Sequence, residues 1–546
     1  MKQITRLNVS LIVLTAVLVL IITLLGETKT AVTAQEPAAE TAVTQTPETG
    51  TANCRYGASP IRDTTKEIPW LTTIGAGWYL TFGPDKPATL PTNGARFVPI
   101  LRVNEGMIGD AFTGIWYVGG LTGPAAKTYV QAKVAALPGA LWLIGNEIDR
   151  LTQDEITPAV YARAYHDIYG WIKETDPTAQ VAISGLVEVT PSRLWYLSAI
   201  WDAYLDRYNV PMPVDVWNMH LYIINEVLHD GTIGAASIPV GFVPAAHPDI
   251  PLKRLSSLGP DAYQECPDPN VYCYAEHDDM SIFAEQVLDM RTWMKAHGQQ
   301  NKPLILSEYS LLWPYETFPN GDCDFLQDEN RHCFTPARVS TFMRNTFDYL
   351  EGLKDPNLGY ALDNNRLVQQ WMWFSFYVPH DPIDPYPGAA SNLLEADLNT
   401  LTDVGEAYRD YVTPLPLNRN LFVTSVPNPV VDSNGVGTAS AQLSVVFRNN
   451  GNTAVTTPFN VTFYSNAAMT NVIGTASFTP AVEGCAMVPY TAVGVQWDNL
   501  AAGTHPFWVK IDSGGAIGET NETDNVGSGV VLIDPLTQIF LPSLAR

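Results

Sequence analysis

Two hydrophobic rhythms alternate between residues 70 and 412. Runs that are apolar almost without a break, Thr72–Tyr79, Arg96–Arg102, Leu141–Asn146, Val181–Leu186, Val214–Tyr222, Pro303–Tyr309 and Leu367–Phe376, predict strands. Stretches with apolar residues every three or four positions, Pro158–Thr175, Ser192–Tyr208, Met280–His297, Pro336–Leu353 and Val404–Val412, predict helices. Strands apolar on both faces and separated by helices belong in a parallel sheet covered on each side. Seven such strands, with Gly114–Val118 as a weak eighth, predict an α/β fold, a (β/α)8 TIM barrel over residues 54–414. The irregular insert Ile223–Asp279 then follows the sixth strand, on the face where such barrels carry their chemistry.

The rhythm changes after Pro414. Alternating segments such as Ala441–Phe447, Phe459–Tyr464, Val493–Trp497 and His505–Ile511 are divided by Asn/Gly- and Asp/Gly-rich turns. Residues 415–535 therefore read as an all-β immunoglobulin-like sandwich, and 536–546 as a short tail. At the other end, Lys2 and Arg6 precede an apolar run from Leu7 to Gly26. Residues 1–34 are expected to be an export signal cut near Ala31–Ala34, or a retained membrane anchor; both readings stay open. Residues 35–53, rich in Thr, Ala, Glu and Pro, are expected to be a disordered stalk. Either way the remainder is secreted or held at the cell surface.

Composition narrows the partners. A net charge of −25 disfavours nucleic acid. Six cysteines suit an oxidising compartment. Cys266 with Cys273, and Cys323 with Cys333, read as local disulfides, while Cys54 and Cys485 either bridge the two domains or stay free. The chain has no Cys-x-x-Cys, no His-Glu-x-x-His and no Gly-rich phosphate loop, so neither a catalytic metal nor a cofactor is expected. A monomer is expected.

A parallel barrel puts its chemistry where its strands end. Leu141–Ile144 runs into Gly145-Asn146-Glu147, and Pro303–Leu306 runs into Ser307-Glu308-Tyr309. Two carboxylates facing one cavity suit glycosidic cleavage, in which one protonates the leaving oxygen and the other, ionised, attacks the anomeric carbon. His220 and Tyr222 alternate on one strand face, which would let the Tyr hydroxyl orient Glu308. Trp373 ends the last strand and would offer a floor for a sugar ring. Glu188 and Glu226 are lesser candidates for the acid, and Asp512, Glu519, Glu522 and Asp524 read as a solvated acidic turn before a Ca²⁺ site.

In this order, Gly145-Asn146-Glu147, His220-Leu221-Tyr222, Ser307-Glu308-Tyr309 and Trp373 resemble the clan of retaining (β/α)8 glycoside hydrolases that includes cellulases, mannanases and β-1,3-glucanases. The resemblance implies that Glu147 is the acid/base and Glu308 the nucleophile. It also implies that Asn146 meets the sugar 2-hydroxyl and that His220 and Tyr222 line the site. Gly77-Trp78-Tyr79 and Phe97-Val98-Pro99 look like the β-1,3-glucanase branch, which puts Trp78 among the substrate-binding residues. The chain departs from that branch at Glu147-Ile148-Asp149, where Pro commonly follows the Glu. Phe447–Asn452, Ile511-Asp512 and Gly518–Asn525 resemble the CARDB family of Ig-like adhesion modules. An exported hydrolase acting on a β-linked polysaccharide or oligosaccharide is the expectation, and a surface-attached carbohydrate-binding or adhesion protein with an inactive barrel is its rival. The acid role requires Glu147 to hold its proton near neutrality, and the nucleophile role requires Glu308 to stay ionised.

Overall fold

The computed structural model of the chain describes residues 52–255, 270–312, 332, 334–379, 389–432 and 438–534. The leader and tail expectations, and Cys266, Cys323 and Cys333, lie outside the described residues. Among the described residues no helix is long and apolar enough to cross a membrane.

The first part carries strands β1 (Asn53–Ala58), β2 (Ala76–Tyr79), β3 (Arg96–Phe97), β4 (Ile100–Leu101), β5 (Val103–Ile108), β6 (Ala111–Val118), β7 (Leu141–Ile144), β8 (Gln180–Ile183), β9 (Trp217–His220), β10 (Arg254–Leu255), β11 (Val271–Tyr272), β12 (Leu304–Tyr309) and β13 (Gln370–Trp373). Six of them pair in parallel in the order β3-β2-β1-β13-β12-β9, and β4-β7-β8 form a second parallel group. Only Val98-Pro99 separates β3 from β4, and a parallel bridge from Ala182 to Val216 links β8 to the start of β9. The outcome is a curled parallel sheet covered by helices, in a barrel-like arrangement. The helices recur between strands at Pro158–Thr175, Pro191–Tyr208, Met280–Ala296, Pro336–Gly352 and Asp403–Val412.

Three expectations change here. Gly114–Val118 belongs to β6, which pairs antiparallel with β5 outside the parallel sheet. The missing parallel strand is β1, between β2 and β13; Asn53, assigned to the stalk, is its first residue. Thr72–Ile74 is the end of a helix, Thr64–Ile74, and only Ala76–Tyr79 is strand. The Asp63 carboxylate accepts the Thr65 N–H, and burial of Ile68, Leu71 and Ile74 on one face holds the helix despite its β-branched end.

The C-terminal part carries β14 (Leu421–Ser425), β15 (Val430–Asp432), β16 (Ala439–Asn449), β17 (Phe459–Tyr464), β18 (Val472–Phe478), β19 (Tyr490–Leu500), β20 (Gly503–Lys510) and β21 (Val526–Asp534). They form a three-stranded sheet, β14-β16-β19, and a five-stranded sheet, β15-β21-β20-β17-β18. Residues from both sheets, among them Leu443, Phe447, Phe463, Phe507 and Val531, share one buried cluster. The acidic turn is structural: Asp512 accepts the N–H groups of Ala516 and Ile517, Asp524 accepts from Asn420, and Glu519 from Asn525.

This part meets the start of the parallel strands. Cys54, in β1, is disulfide-bonded to Cys485, with a Cα–Cα distance of 6.2 Å, which closes the question left open by spacing. Cys485 and Met487 join Trp78, Leu141, Leu143, Ile305 and Met372 in the cluster inside the curled sheet. Gln180 donates to the Met487 carbonyl at 2.7 Å, the Cys54 N–H donates to the Asn452 carbonyl at 2.8 Å, and Arg96 pairs with Glu483. Cys273 is also disulfide-bonded.

Candidate active site

Glu147 stands on a sharp turn after β7. Gly145 has φ +88°, and a Cβ there would lie 2.6 Å from Ile148 Cγ2, so no other residue fits without movement. Glu147 itself has φ +46°. The turn is held by Asp154, whose carboxylate accepts the N–H groups of Asn146 and Val103, each at 3.0 Å, and Arg102 Nε at 2.6 Å. The Glu147 N–H donates to the Gly185 carbonyl at 3.0 Å.

Glu308 comes from β12. Leu306 pairs with Met219 but Glu308 pairs with His220, so β12 has one residue more than β9 at this point. Such a bulge re-aims side chains, and here it sets Glu308 beside His220. Tyr222 donates its hydroxyl to Glu308 Oε1 at 2.8 Å. His220 Nδ1 lies 3.2 Å from Glu147 Oε1 and 3.7 Å from Glu308 Oε2. A side-chain atom of each of Glu147, His220 and Glu308 lies within 4.8 Å of the other two. Room for the His220 ring depends on Gly185, where a Cβ would lie 2.2 Å from the ring Cδ2.

The carboxylates open on a cavity of about 410 Å³. Phe82, Phe374, Leu312 and Val378 form its apolar wall; Arg102, Asn146, Arg150 and Gln153 are the polar lining beside the acids. The structure thus brings together Asn146, Glu147, His220, Tyr222 and Glu308. It does not bring Trp373 or Trp78 to this lining. Trp373 is fully buried with its indole N–H donating to the Ser391 carbonyl at 2.8 Å, and Trp78 fills the interior of the sheet. The aromatic faces at the cavity are Phe82 and Phe374, in edge contact at 5.6 Å. Phe374, the residue after the expected Trp373, carries the signal one position late. Arg150, three residues after Glu147, is the nearest sequence cue to the polar wall. Glu188 and Glu226 are fully buried and absent from the lining; Glu226 accepts from Thr190, Ser192 and the Lys253 N–H.

The neighbours of the two carboxyls shift them in directions opposite to those expected for the free enzyme. Burial works against the charge of Glu147, but the His220 ring and the Arg150 guanidinium outweigh it and bring its pKa down to about 2. Burial pushes Glu308 up to about 7, and the charge of Glu147 adds to the rise, against the pull of His220 and the Tyr222 hydroxyl. Burial also opposes charge on His220, yet the two carboxylates raise its pKa. Tyr222 is held protonated, by burial first and by Glu308 next, so it remains a donor. Two acids this close do not ionise together easily. The one with two cationic partners ionises more readily, which in the empty site favours the shared proton on Glu308.

No family model matches the chain, and no curated protein matches it. Solved structures do. A GH128 (subgroup I) endo-β-1,3-glucanase from Amycolatopsis mediterranei, crystallised with laminaritriose, is 15% identical, with 65% of this chain and 99% of that one covered and a TM-score of 0.38. A GH128 (subgroup II) endo-β-1,3-glucanase from Sorangium cellulosum is 14% identical, with 65% and 98% covered and a TM-score of 0.38. A GH128 (subgroup III) curdlan-specific exo-β-1,3-glucanase from Blastomyces gilchristii is 13% identical, with 66% and 99% covered and a TM-score of 0.34.

Proposed function

We propose that this chain is an exported glycoside hydrolase that cleaves a β-glycosidic bond in a polysaccharide or oligosaccharide by double displacement with retention. One observation carries the reading: an oxygen of Glu147, on the turn after β7, and an oxygen of Glu308, on β12, lie within 4.8 Å of each other at the mouth of one cavity. A separation of about 5 Å suits a nucleophile and an acid/base, whereas a general base that must admit a water needs roughly 6.5 Å or more.

In this reading Glu308 attacks the anomeric carbon while Glu147 gives its proton to the departing glycosidic oxygen. Glu147, now ionised, takes a proton from the water that displaces Glu308, and each carboxyl returns to its starting state. The pair works with one proton, which must sit on Glu147 when the bond breaks. Tyr222 favours that arrangement by donating to Glu308, and Asn146 stands on the cavity wall where a sugar hydroxyl could meet it. Residues 53–414 are the catalytic (β/α)8 barrel, beginning with Asn53 of β1, residues 415–535 a CARDB-like sandwich, and the residues before them the export signal or anchor with its stalk.

The test is turnover on β-1,3- and β-1,4-glucans, mannans and xylans. Glu308→Gln is expected to abolish reducing-end release from whichever glycan the unaltered chain cleaves, with an unchanged melting curve. Undiminished release by that variant ends the assignment. Binding without release by the unaltered chain returns the adhesion reading.

A further inference from the structure

An acid catalyst has to present a protonated oxygen to the leaving group, and in the empty site each oxygen of Glu147 already faces a nitrogen donor. Oε1 meets His220 Nδ1 at 3.2 Å, and Oε2 accepts from Arg150 Nη1 at 3.0 Å. Each donor favours the ionised form of the carboxyl and occupies the approach to its oxygen, so a glycosidic oxygen competes with one of them for that place.

The two partners differ in their freedom to move. The His220 side chain is 2% exposed, closely packed against Gly185, and also faces Glu308. The Arg150 side chain is 28% exposed and lines the cavity. Its other hydrogen bond, from Nη2 to the Ala235 carbonyl at 3.0 Å, reaches the long insert after β9. A guanidinium has five donors in a rigid plane and can exchange a carboxylate for sugar oxygens without unpacking a core.

We infer that Arg150 is a displaceable latch on the carboxylate of Glu147, released when the leaving-group half of the substrate takes over its guanidinium. The inference rests on Glu147 being the acid. It makes Arg150 a positioning residue that couples occupancy of the leaving-group side to the readiness of the acid. The charged groups that face Glu147 are His220 from β9, Glu308 from β12, and Arg150 and Asp149 from its own turn, with Arg193 balancing Asp149 from behind. While latched, Glu147 is favoured in its ionised form by the guanidinium. With the guanidinium drawn away, one cation fewer opposes its protonation, and the proton already on Glu308 can pass to it; none is gained or lost by the pair.

Arg150→Met and Arg150→Lys test this. In ¹³C NMR of Glu-labelled protein, with the Glu147 carboxyl assigned by its loss in Glu147→Gln, Glu147 is expected to titrate at least one pH unit higher in Arg150→Met. It should stay low in Arg150→Lys, which keeps the charge. In kinetics, Arg150→Met should lower kcat/KM at least 10-fold more for an oligosaccharide than for a nitrophenyl glycoside of the same sugar. The nitrophenolate leaves with little acid assistance and has no sugar for Arg150 to hold. An unmoved titration, or equal losses on both substrates, overturns the latch. A chain that cleaves no glycan ends the hydrolase reading instead, and the titration still decides whether Arg150 governs Glu147.

Discussion

Tyr222→Phe removes one hydroxyl from the site and leaves the ring that fills its place. That hydroxyl is a 2.8 Å donor to Glu308, which is buried and lines the cavity. A hydrogen bond to a buried charge stabilises it by roughly 1.5–3 kcal/mol, and each pKa unit corresponds to about 1.36 kcal/mol. The pKa of Glu308, about 7 with the hydroxyl present, should therefore rise by roughly 1–2 units without it. Two effects follow, and their signs differ. The pair keeps its proton to higher pH, so the alkaline limb of kcat/KM, which reports the free enzyme, moves up by the same roughly 1–2 units. The proton also sits more firmly on Glu308, the wrong carboxyl for bond cleavage, so the plateau falls roughly 10- to 100-fold. The assay is a kcat/KM profile from pH 4 to 10 on the best glycan, with the melting temperature measured alongside. A plateau that falls while the alkaline limb stays put or moves down refutes the shared-proton scheme, because Tyr222 would then act by something other than its bond to Glu308.

Further outcomes follow from the same contacts. Arg193 and Asp149 pair at 2.6 Å with both side chains fully buried, and Arg193 also lies 3.4 Å from Glu226. Arg193→Met strands those charges and should cost about 3–5 kcal/mol in urea unfolding; a loss under 1 kcal/mol would contradict that accounting. Glu188 is pushed well above the usual carboxylate range by burial and by its neighbour Glu226, which favours its neutral form in the folded protein. Glu188→Gln should change stability by less than about 1 kcal/mol and leave turnover intact, and a 10-fold loss of turnover would put Glu188 back among the acids. Cys54→Ser with Cys485→Ser should lower stability by about 2–5 kcal/mol, read as a fall in melting temperature, with kcat at 25 °C unchanged.

The parallel sheet was legible because strands buried on both faces leave nothing but apolar residues to read, as in Leu141–Ile144 and Leu304–Leu306. The strand that escaped, Asn53–Ala58, carries an arginine at its centre. Arg55 is buried against Asp363 at 2.9 Å, 308 residues away, so its polarity is answered by a partner that no local pattern contains. Thr72–Ile74 misled in the opposite way: residues with strand propensity were drawn into a helix by the packing of Ile68, Leu71 and Ile74. At the site, Glu147 and Glu308 were legible because a carboxylate at the end of an apolar run is out of place unless it is used. Arg102 and Arg150 were not, since a loop arginine is ordinary until its neighbours are known. The order of protonation was illegible for the same reason. It turns on Arg150 and His220 both standing at Glu147 while Glu308 has a hydroxyl and a more distant ring, and those distances are set by the bulge in β12 and the turn after Gly145.

The same strands also separate what stabilises the protein from what it does. Leu141 and Ile305, near the starts of β7 and β12, share a buried cluster with Cys485 and Met487 of the C-terminal part. The carboxylates stand where these strands finish, Glu308 four residues beyond Leu304, or roughly 13 Å at about 3.3 Å per strand residue. Buried side chains of the sheet interior lie between, so anchoring the C-terminal part at one end leaves the other end open to substrate. Loss of the disulfide should for this reason register in the melting curve and leave the pH profile untouched. Loss of the Arg150 guanidinium, which holds Glu147 and the Ala235 carbonyl at the open end, should move the pH profile first.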